Sequence, residues 1–425
     1  MSISFAQHSE TFKPGGEKMQ KKAFLVLETG KIFEGYSFGA EGEVIGEIVF
    51  TTGMTGYLET MTDKSYYGQI ILYTCPLIGN YGVIPEDFES RTVSAFGCIA
   101  KEVCSTPSNF RSKGDFDTFL KEHGIPGLYG IDTRELTKTL REHGTMNGII
   151  TRNPGKVDLD KIKAYNVKNA VENVSIKEKI TLNADGKYTI VLLDFGYKEN
   201  MVRELVKRDC KVVIMPHDST VKSIIDQKPD GILLSNGPGD PADNPGIISN
   251  LKQLIGTKIP IFGICLGHQL LALAHGFETR KLKYGHRGSN QPVKDLKTGR
   301  LYITSQNHGY YVTNESIEKS KAEISFINLN DNTCEGIKYL NIPAFSVQFH
   351  PEGCGGPQDT VFLFDTFIKE VSSYASGRKN YGTVMSVRSN KYRVFREQHY
   401  EGWAYHARIY ENARMRERLY LCQLS

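Results

Sequence analysis

From Lys22 onward the chain runs in short apolar stretches broken by glycine: AFLVLETG over 23–30, GEIVFTTG over 46–53 and GQIILY over 68–73. Turn signals recur about every ten residues, the spacing of a β-rich domain. Helical periods appear later in this half, over Phe116–His123 and over Arg134–His143, the second preceded by an Asp132-Thr133 cap and ended by Gly144. The pattern predicts a β-rich or α+β first domain that closes near residue 150.

The second half alternates differently. Continuous apolar runs at 189–196, 211–216, 231–237 and 259–264 are separated by helical stretches at 199–208, 221–227 and 246–254, and another follows at 266–274. Strands apolar on both faces, alternating with helices, predict a doubly wound, mostly parallel sheet. A β-richer end follows (LYITSQ, YYVT, AEISFIN, GIKYL, AFSVQF), and an amphipathic helix over 359–372 closes the domain. The expected organisation is a disordered lead over 1–21, the first domain over 22–150, a connector over 151–188, the parallel-sheet domain over 189–373 and a basic, disordered tail over 374–425.

Charge and composition narrow the class. The formal charge is +4, from 52 Lys and Arg against 48 Asp and Glu. Residues 376–425 hold ten basic and four acidic residues, so they carry +6 and the remainder −2. The body gives no footprint for nucleic acid. Trp403 and six tyrosines interleave with basic residues in the tail, a composition that can stack on single strands but reads first as a solvated or foreign tail. Eight cysteines without a CxxC pair, and no secretory leader, predict free thiols in a reducing cytoplasm. The longest apolar stretch, Ile259 to Phe277, is interrupted by Gly263, Gly267, His268, Gln269 and His275 and predicts no membrane span.

Candidate chemistry gathers in three places. Gly263-Ile264-Cys265-Leu266-Gly267 lies between a predicted strand and a predicted helix, where small flanking residues permit a sharp turn and the helix N-terminus favours a thiolate. His350-Pro351-Glu352 follows an apolar run and can supply a base and its orienting carboxylate. Ser235-Asn236-Gly237-Pro238-Gly239-Asp240-Pro241 is a glycine-rich turn at the carboxyl end of a strand, the edge where open α/β sheets bind ligands. Taken singly, each is also an ordinary sequence: a buried thiol, a loop and a tight turn. No GxxxxGK[ST] phosphate loop is present.

Together these motifs resemble the class I glutamine amidotransferase family: GICLGHQ over 263–269, SNGPGDP before it and HPE after it. FTTGMTGYLETMTDKSYYGQI (50–70), PLIGNYGV (76–83), GLYGIDTRELTKTLREHGTMNGII (127–150), GHRGSNQPV (285–293), ITSQNHGYYV (303–312) and HPEGCGGPQDT (350–360) narrow the resemblance to its carbamoyl-phosphate synthase small-subunit branch, over about residues 22–372. The resemblance implies Cys265 as nucleophile, His350 as base and acid, and Glu352 as its orienter. It implies L-glutamine binding by Gly237, Gly239, Leu266, Gln269, Asn307, Gly309 and Tyr310, the last a tyrosine where the family often has phenylalanine. Gly53 stands where the family usually has serine and is left out of that set.

A large synthetase subunit is the implied partner in a heterodimer. That subunit, not this chain, would hold ATP and magnesium and make carbamoyl phosphate for arginine and pyrimidine synthesis. No metal, cofactor, nucleic acid or membrane is expected here. The first domain, with no catalytic constellation of its own, is expected to dock the partner and carry part of the ammonia path, so that its deletion would spare some glutaminase activity. Two other readings stay open: a glutaminase subunit of another synthase, and a catalytically silent scaffold of the same fold.

Overall fold

The computed structural model describes residues 21–353 and 355–378. The expectations for the lead and for nearly all of the basic tail lie outside the described residues.

The first domain is a closed barrel flanked by helices. Its strands are β1 (Lys22–Leu27), β2 (Ile32–Gly39), β3 (Val44–Thr51), β4 (Gln69–Tyr73), β6 (Gly97–Ala100), β8 (Pro126–Tyr129) and β9 (Met146–Thr151), and β5 (Leu77–Ile78) pairs separately with β7 (Glu102–Val103). The order around the barrel is β1-β2-β8-β6-β4-β3-β9. Strand alternation serves two cores at once, because successive side chains point to opposite faces. On β4, Ile70 and Leu72 join Leu25, Ile48 and Ile99 in one cluster, while Ile71 and Tyr73 join Tyr57, Phe116 and Phe119 in another. Both predicted helices are present, at Phe116–Glu122 and Thr133–His143, each capped by an aspartate side chain, Asp115 and Asp132.

The second domain is a ten-stranded mixed sheet. Its strands are β10 (Ile180–Leu182), β11 (Tyr188–Asp194), β12 (Cys210–Pro216), β13 (Gly231–Leu234), β14 (Ile261–Ile264), β15 (Thr279–Asp295), β16 (Leu301–Val312), β17 (Ala322–Asn328), β18 (Cys334–Tyr339) and β19 (Ala344–Val347). The order is β10-β12-β11-β13-β14-β19-β18-β17-β15-β16, and the run β12-β11-β13-β14-β19 is parallel throughout. This is the doubly wound core expected, with an antiparallel extension beyond β19. Ile190 and Leu192 pack with Met201 and Leu205 of the following helix, and with Phe364, Phe367 and Val371 of the C-terminal helix that begins at 362.

Three details differ from the expectation. The segment 151–187 is not a bare connector: it forms short helices at Leu159–Lys163 and Ala170–Val174 and the edge strand β10, because Ile162, Val171 and Val174 are isolated apolar anchors too sparse to set a period yet fully buried. LYITSQ and YYVT are one strand, β16. The long strand β15 went unread because its alternation is broken by register shifts between Lys281 and His286 and between Gly288 and Gln291. Barrel and sheet together form one compact unit ending at Ser372.

Candidate active site

Cys265 leaves the end of β14 and opens the helix Leu266–Ala274. Its backbone sits at φ 53 and ψ −104, a conformation an L-residue holds only where its surroundings enforce it. The two flanking glycines provide that enforcement. A Cβ on Gly263 would come within 2.8 Å of the Gly267 carbonyl oxygen, and one on Gly267 within 2.4 Å of the Leu234 carbonyl oxygen. Only glycine lets helix and strand approach this closely.

The imidazole arrives from the neighbouring strand. β14 and β19 pair in parallel, with Ile264 opposite Val347, and the Cys265 N–H donates to the Val347 carbonyl at 2.9 Å. The three residues that continue β19 end at His350, whose N–H is held by the Ser305 carbonyl at 2.9 Å. His350 Nδ1 lies 2.6 Å from Glu352 Oε1, and both side chains are buried.

The electrostatics of the pair are asymmetric. Burial and the nearby Lys198 ammonium push the His350 pKa down, but Glu352 and Cys265 outweigh them and hold it up at about 10. Burial pushes Glu352 up, and His350 with Lys198 pulls it down to about 2. The imidazole is therefore cationic and the carboxylate anionic at neutral pH. Nε2 of His350 is buried on the side of the ring away from Glu352, and the nearby Cys265 side chain favours its proton.

A cavity of about 410 Å³ opens beside Cys265, and Gly237, Gly239, Gln269, Asn307, Gly309 and Tyr310 share its wall. Gly237 has no room for a side chain, since a Cβ would meet the Phe195 carbonyl oxygen at 2.1 Å, and Gly239 takes a positive φ of 88°. The Gln269 amide is anchored by donating to the Tyr310 carbonyl at 2.7 Å and to Gln348 Oε1 at 2.9 Å. Leu266 does not line the cavity, but its N–H belongs to the first helical turn, which has no intrahelical acceptor. His350 meets instead a second cavity of about 50 Å³, which Gly53, Glu59 and Lys198 also line.

The chain matches the family model "Glutamine amidotransferase class-I" over residues 191–370 and "Carbamoyl-phosphate synthase small chain, CPSase domain" over 25–150. A carbamoyl phosphate synthase small chain from Clostridium perfringens is 50% identical over 350 residues, covering 82% of this chain and 99% of its own length. Proteins of the same name from Bacillus cereus and Fusobacterium nucleatum are 50% and 49% identical, covering 83% and 82% of this chain and 97% and 98% of theirs. The chain belongs to the carbamoyl phosphate synthase small chain family.

In this member of the family the barrel reaches into the site: the first domain, expected to dock the partner and carry part of the ammonia path, also places polar side chains among the candidate residues. Asp63, 3% exposed, begins the turn after the helix Tyr57–Thr62. Its Oδ2 accepts from Asn307 Nδ2 at 3.2 Å and pairs with Lys198 Nζ at 3.5 Å, while its Oδ1 accepts from Asn236 Nδ2 at 3.3 Å. Ser65 accepts from Asn236 Nδ2 at 2.9 Å and lines the larger cavity.

Lys198 was also missed. Its Nζ lies 3.3 Å from Glu352 Oε1 and 3.3 Å from His350 Nδ1. The turn that delivers it is built by Asp194 at the end of β11, whose Oδ1 accepts the N–H groups of Gly196 and Tyr197, each at 2.8 Å. The signal was present in TDKSY and DFGYK, each a polar group at the end of an apolar element. Without the fold nothing joined the two.

His268 and His308 are supporting groups. His268 Nδ1 meets Ser346 Oγ at 2.8 Å, and burial lowers its pKa to about 3. His308 Nδ1 meets the Tyr310 carbonyl at 2.8 Å and thereby steadies the acceptor of Gln269. His286, His308 and Glu335 place potential ligand atoms within 4.8 Å of one another. These atoms are already engaged: His286 lies 2.9 Å from Asp331 and 3.4 Å from Glu335, and His308 Nε2 lies 3.1 Å from Gln306 Oε1. The cluster is a hydrogen-bonded support for β15 and β16.

Proposed function

We propose that the chain hydrolyses L-glutamine through Cys265, His350 and Glu352 and passes the ammonia to a large synthetase subunit, in a heterodimer that makes carbamoyl phosphate for arginine and pyrimidine synthesis. The observation that carries this reading is the convergence of a strained Cys265 and a carboxylate-held His350 at adjacent parallel strand ends, Cys265 facing the larger polar cavity and His350 the smaller one.

The Cys265 thiolate attacks the γ-carboxamide carbon. The oxygen of the tetrahedral intermediate is met by the N–H groups of Leu266 and Gly239, each donor contributing about 3 kcal/mol in comparable sites. The His350 imidazolium protonates the departing nitrogen at Nε2, and ammonia leaves as the γ-glutamyl thioester forms. The neutral imidazole then takes a proton from water as it attacks the thioester, and glutamate and the thiol are released. Glu352 holds the ring through Nδ1 and stabilises its cationic form. Gln269, Asn307, Gly309, Tyr310 and Ser65 surround the amino-acid end of the substrate.

Ammonia released into water would be protonated and lose its nucleophilicity, so the reaction is useful only if a partner receives it directly. The second cavity, between His350 and the barrel, supports a path on that side. ATP and magnesium belong to the partner in this reading.

Cys265→Ala in the complex with the large subunit should cut glutamine-dependent carbamoyl phosphate synthesis by about 1000-fold or more while leaving ammonia-dependent synthesis within about twofold. Equal loss of both activities, or glutamine-dependent synthesis at the unmodified rate, would refute the reading.

A further inference from the structure

We propose that Arg287 binds the α-carboxylate of the substrate amino acid and makes the cavity selective for it. The inference rests on the glutamine reading above and adds Arg287 to the binding residues which that reading names.

The cavity carries the carboxylates of Glu28, Glu47, Asp240 and Asp243 and the cations Lys281 and Arg287. Lys281 is half exposed and already paired with Glu47 at 2.7 Å. Arg287 differs on each count. It is 5% exposed, and no carboxylate among the described residues lies within ion-pair distance of it. Its Nη1 donates to the Tyr284 carbonyl at 2.6 Å, while its Nε is buried without a partner. A buried guanidinium with unused donors is costly unless an anion completes it.

Its position fits the substrate. Arg287 on β15 sits opposite Asn307 on β16, and its Nη2 lies 3.4 Å from where a Cβ on Gly309 would be. The guanidinium is thus held beside residues that line the glutamine cavity, where burial disfavours its charge and Glu47, beyond ion-pair distance, is the first of the groups that favour it. With the γ-carboxamide at Cys265, standard bond lengths carry the α-carboxylate carbon roughly 5 Å further along the cavity. A planar fork meeting a carboxylate is the strongest neutralisation available there, and an amide without that carboxylate cannot provide it. A purely structural role, bracing β15 against Glu47 across the domain boundary, would not distinguish the two ligands.

The test uses the full-length chain carrying Cys265→Ala, so that binding is read without turnover. Calorimetry with L-glutamine and with 4-aminobutanamide, the same molecule without its α-carboxylate, gives two dissociation constants and their ratio. L-Glutamine should bind at least tenfold more tightly. Adding Arg287→Gln should weaken glutamine roughly 10- to 100-fold, leave 4-aminobutanamide within about twofold and so collapse the ratio. Arg287→Lys, which keeps the charge and is the reserve if the glutamine variant does not fold, should retain part of the ratio.

A ratio that survives Arg287→Gln, or an equal loss for both ligands, overturns the proposal. So does failure of the Cys265→Ala chain to bind glutamine. Hydrolysis by the chain with Cys265 intact is scored separately: no hydrolysis alongside an Arg287-dependent ratio would overturn the glutaminase reading and leave the carboxylate contact standing.

Discussion

The sheet domain and the barrel supply the site in opposite ways. In the sheet, Cys265, His350 and the Gly237–Gly239 turn all follow the carboxyl ends of parallel strands, so one topological rule brings them to one edge. The barrel adds wall residues to both cavities and, in the turn Asp63 to Ser65, a carboxylate that ties Lys198, Asn236 and Asn307 together. The contrast teaches that Cys265, His350 and Glu352 belong to one domain while the polar groups that hold their surroundings belong to both. A sheet domain without the barrel keeps Cys265 and loses a partner of the lysine that flanks His350 and Glu352.

That contrast can be broken most sharply at Asp63. Replacing it with alanine leaves Lys198 and two amides short of a partner, and losing one member of a buried pair costs about 3–5 kcal/mol. Asp63→Ala should therefore lower unfolding free energy by that order in denaturant titration and reduce glutamine hydrolysis by at least about tenfold. Unchanged hydrolysis would return the barrel to a mere docking role.

Glu352→Gln tests the sheet's own contribution. The carboxylate raises the proton affinity of His350, so the neutral amide should move the alkaline limb of the glutaminase pH profile down from about 10, by roughly 1–3 pH units. The stability linkage runs the same way. His350 contributes stability that is complete below its ordinary value near 6.5 and is lost as pH rises towards 10. Glu352 contributes stability present above its ordinary 4.5 and lost as pH falls towards 2. Thermal melts between pH 6.5 and 10 should therefore decline less steeply in the glutamine variant.

Two glycines scale the effect of position. Gly267→Ala places a Cβ 2.4 Å from the Leu234 carbonyl oxygen and should cost about 1–3 kcal/mol in thermal or chemical unfolding, with activity falling as the Cys265 turn is displaced. Gly53→Ser introduces the serine that the resemblance leads one to expect there. It lies on the smaller cavity, and a Cβ there would have only the Thr55 carbonyl oxygen, at 3.2 Å, as a close neighbour. Its stability should stay within about 0.5 kcal/mol and its KM for glutamine should not move; a changed KM would place residue 53 in the glutamine site.

Some features were legible before any coordinates because their causes are local. The continuous apolar run of β11 announces a strand buried on both faces, and GxCxG announces a turn that tolerates no side chains on either flank of Cys265. Asp132 and Gly144 bracket a helix because capping acts within a few residues. The segment over 151–187 was not legible for the complementary reason: Ile162, Val171 and Val174 are held by distant surfaces, not by a repeating pattern along the chain.

By itself, the amino-acid order determined the parallel-sheet core and set Cys265 and the HPE pair at strand ends, since each follows from neighbours within a strand, a turn or a helix. Only the tertiary structure decided that Asp63, Ser65, Lys198 and Arg287 stand around them. Their roles come from burial beside groups far away in sequence, and a charge acquires its chemistry from the water it has lost and the partners it has gained.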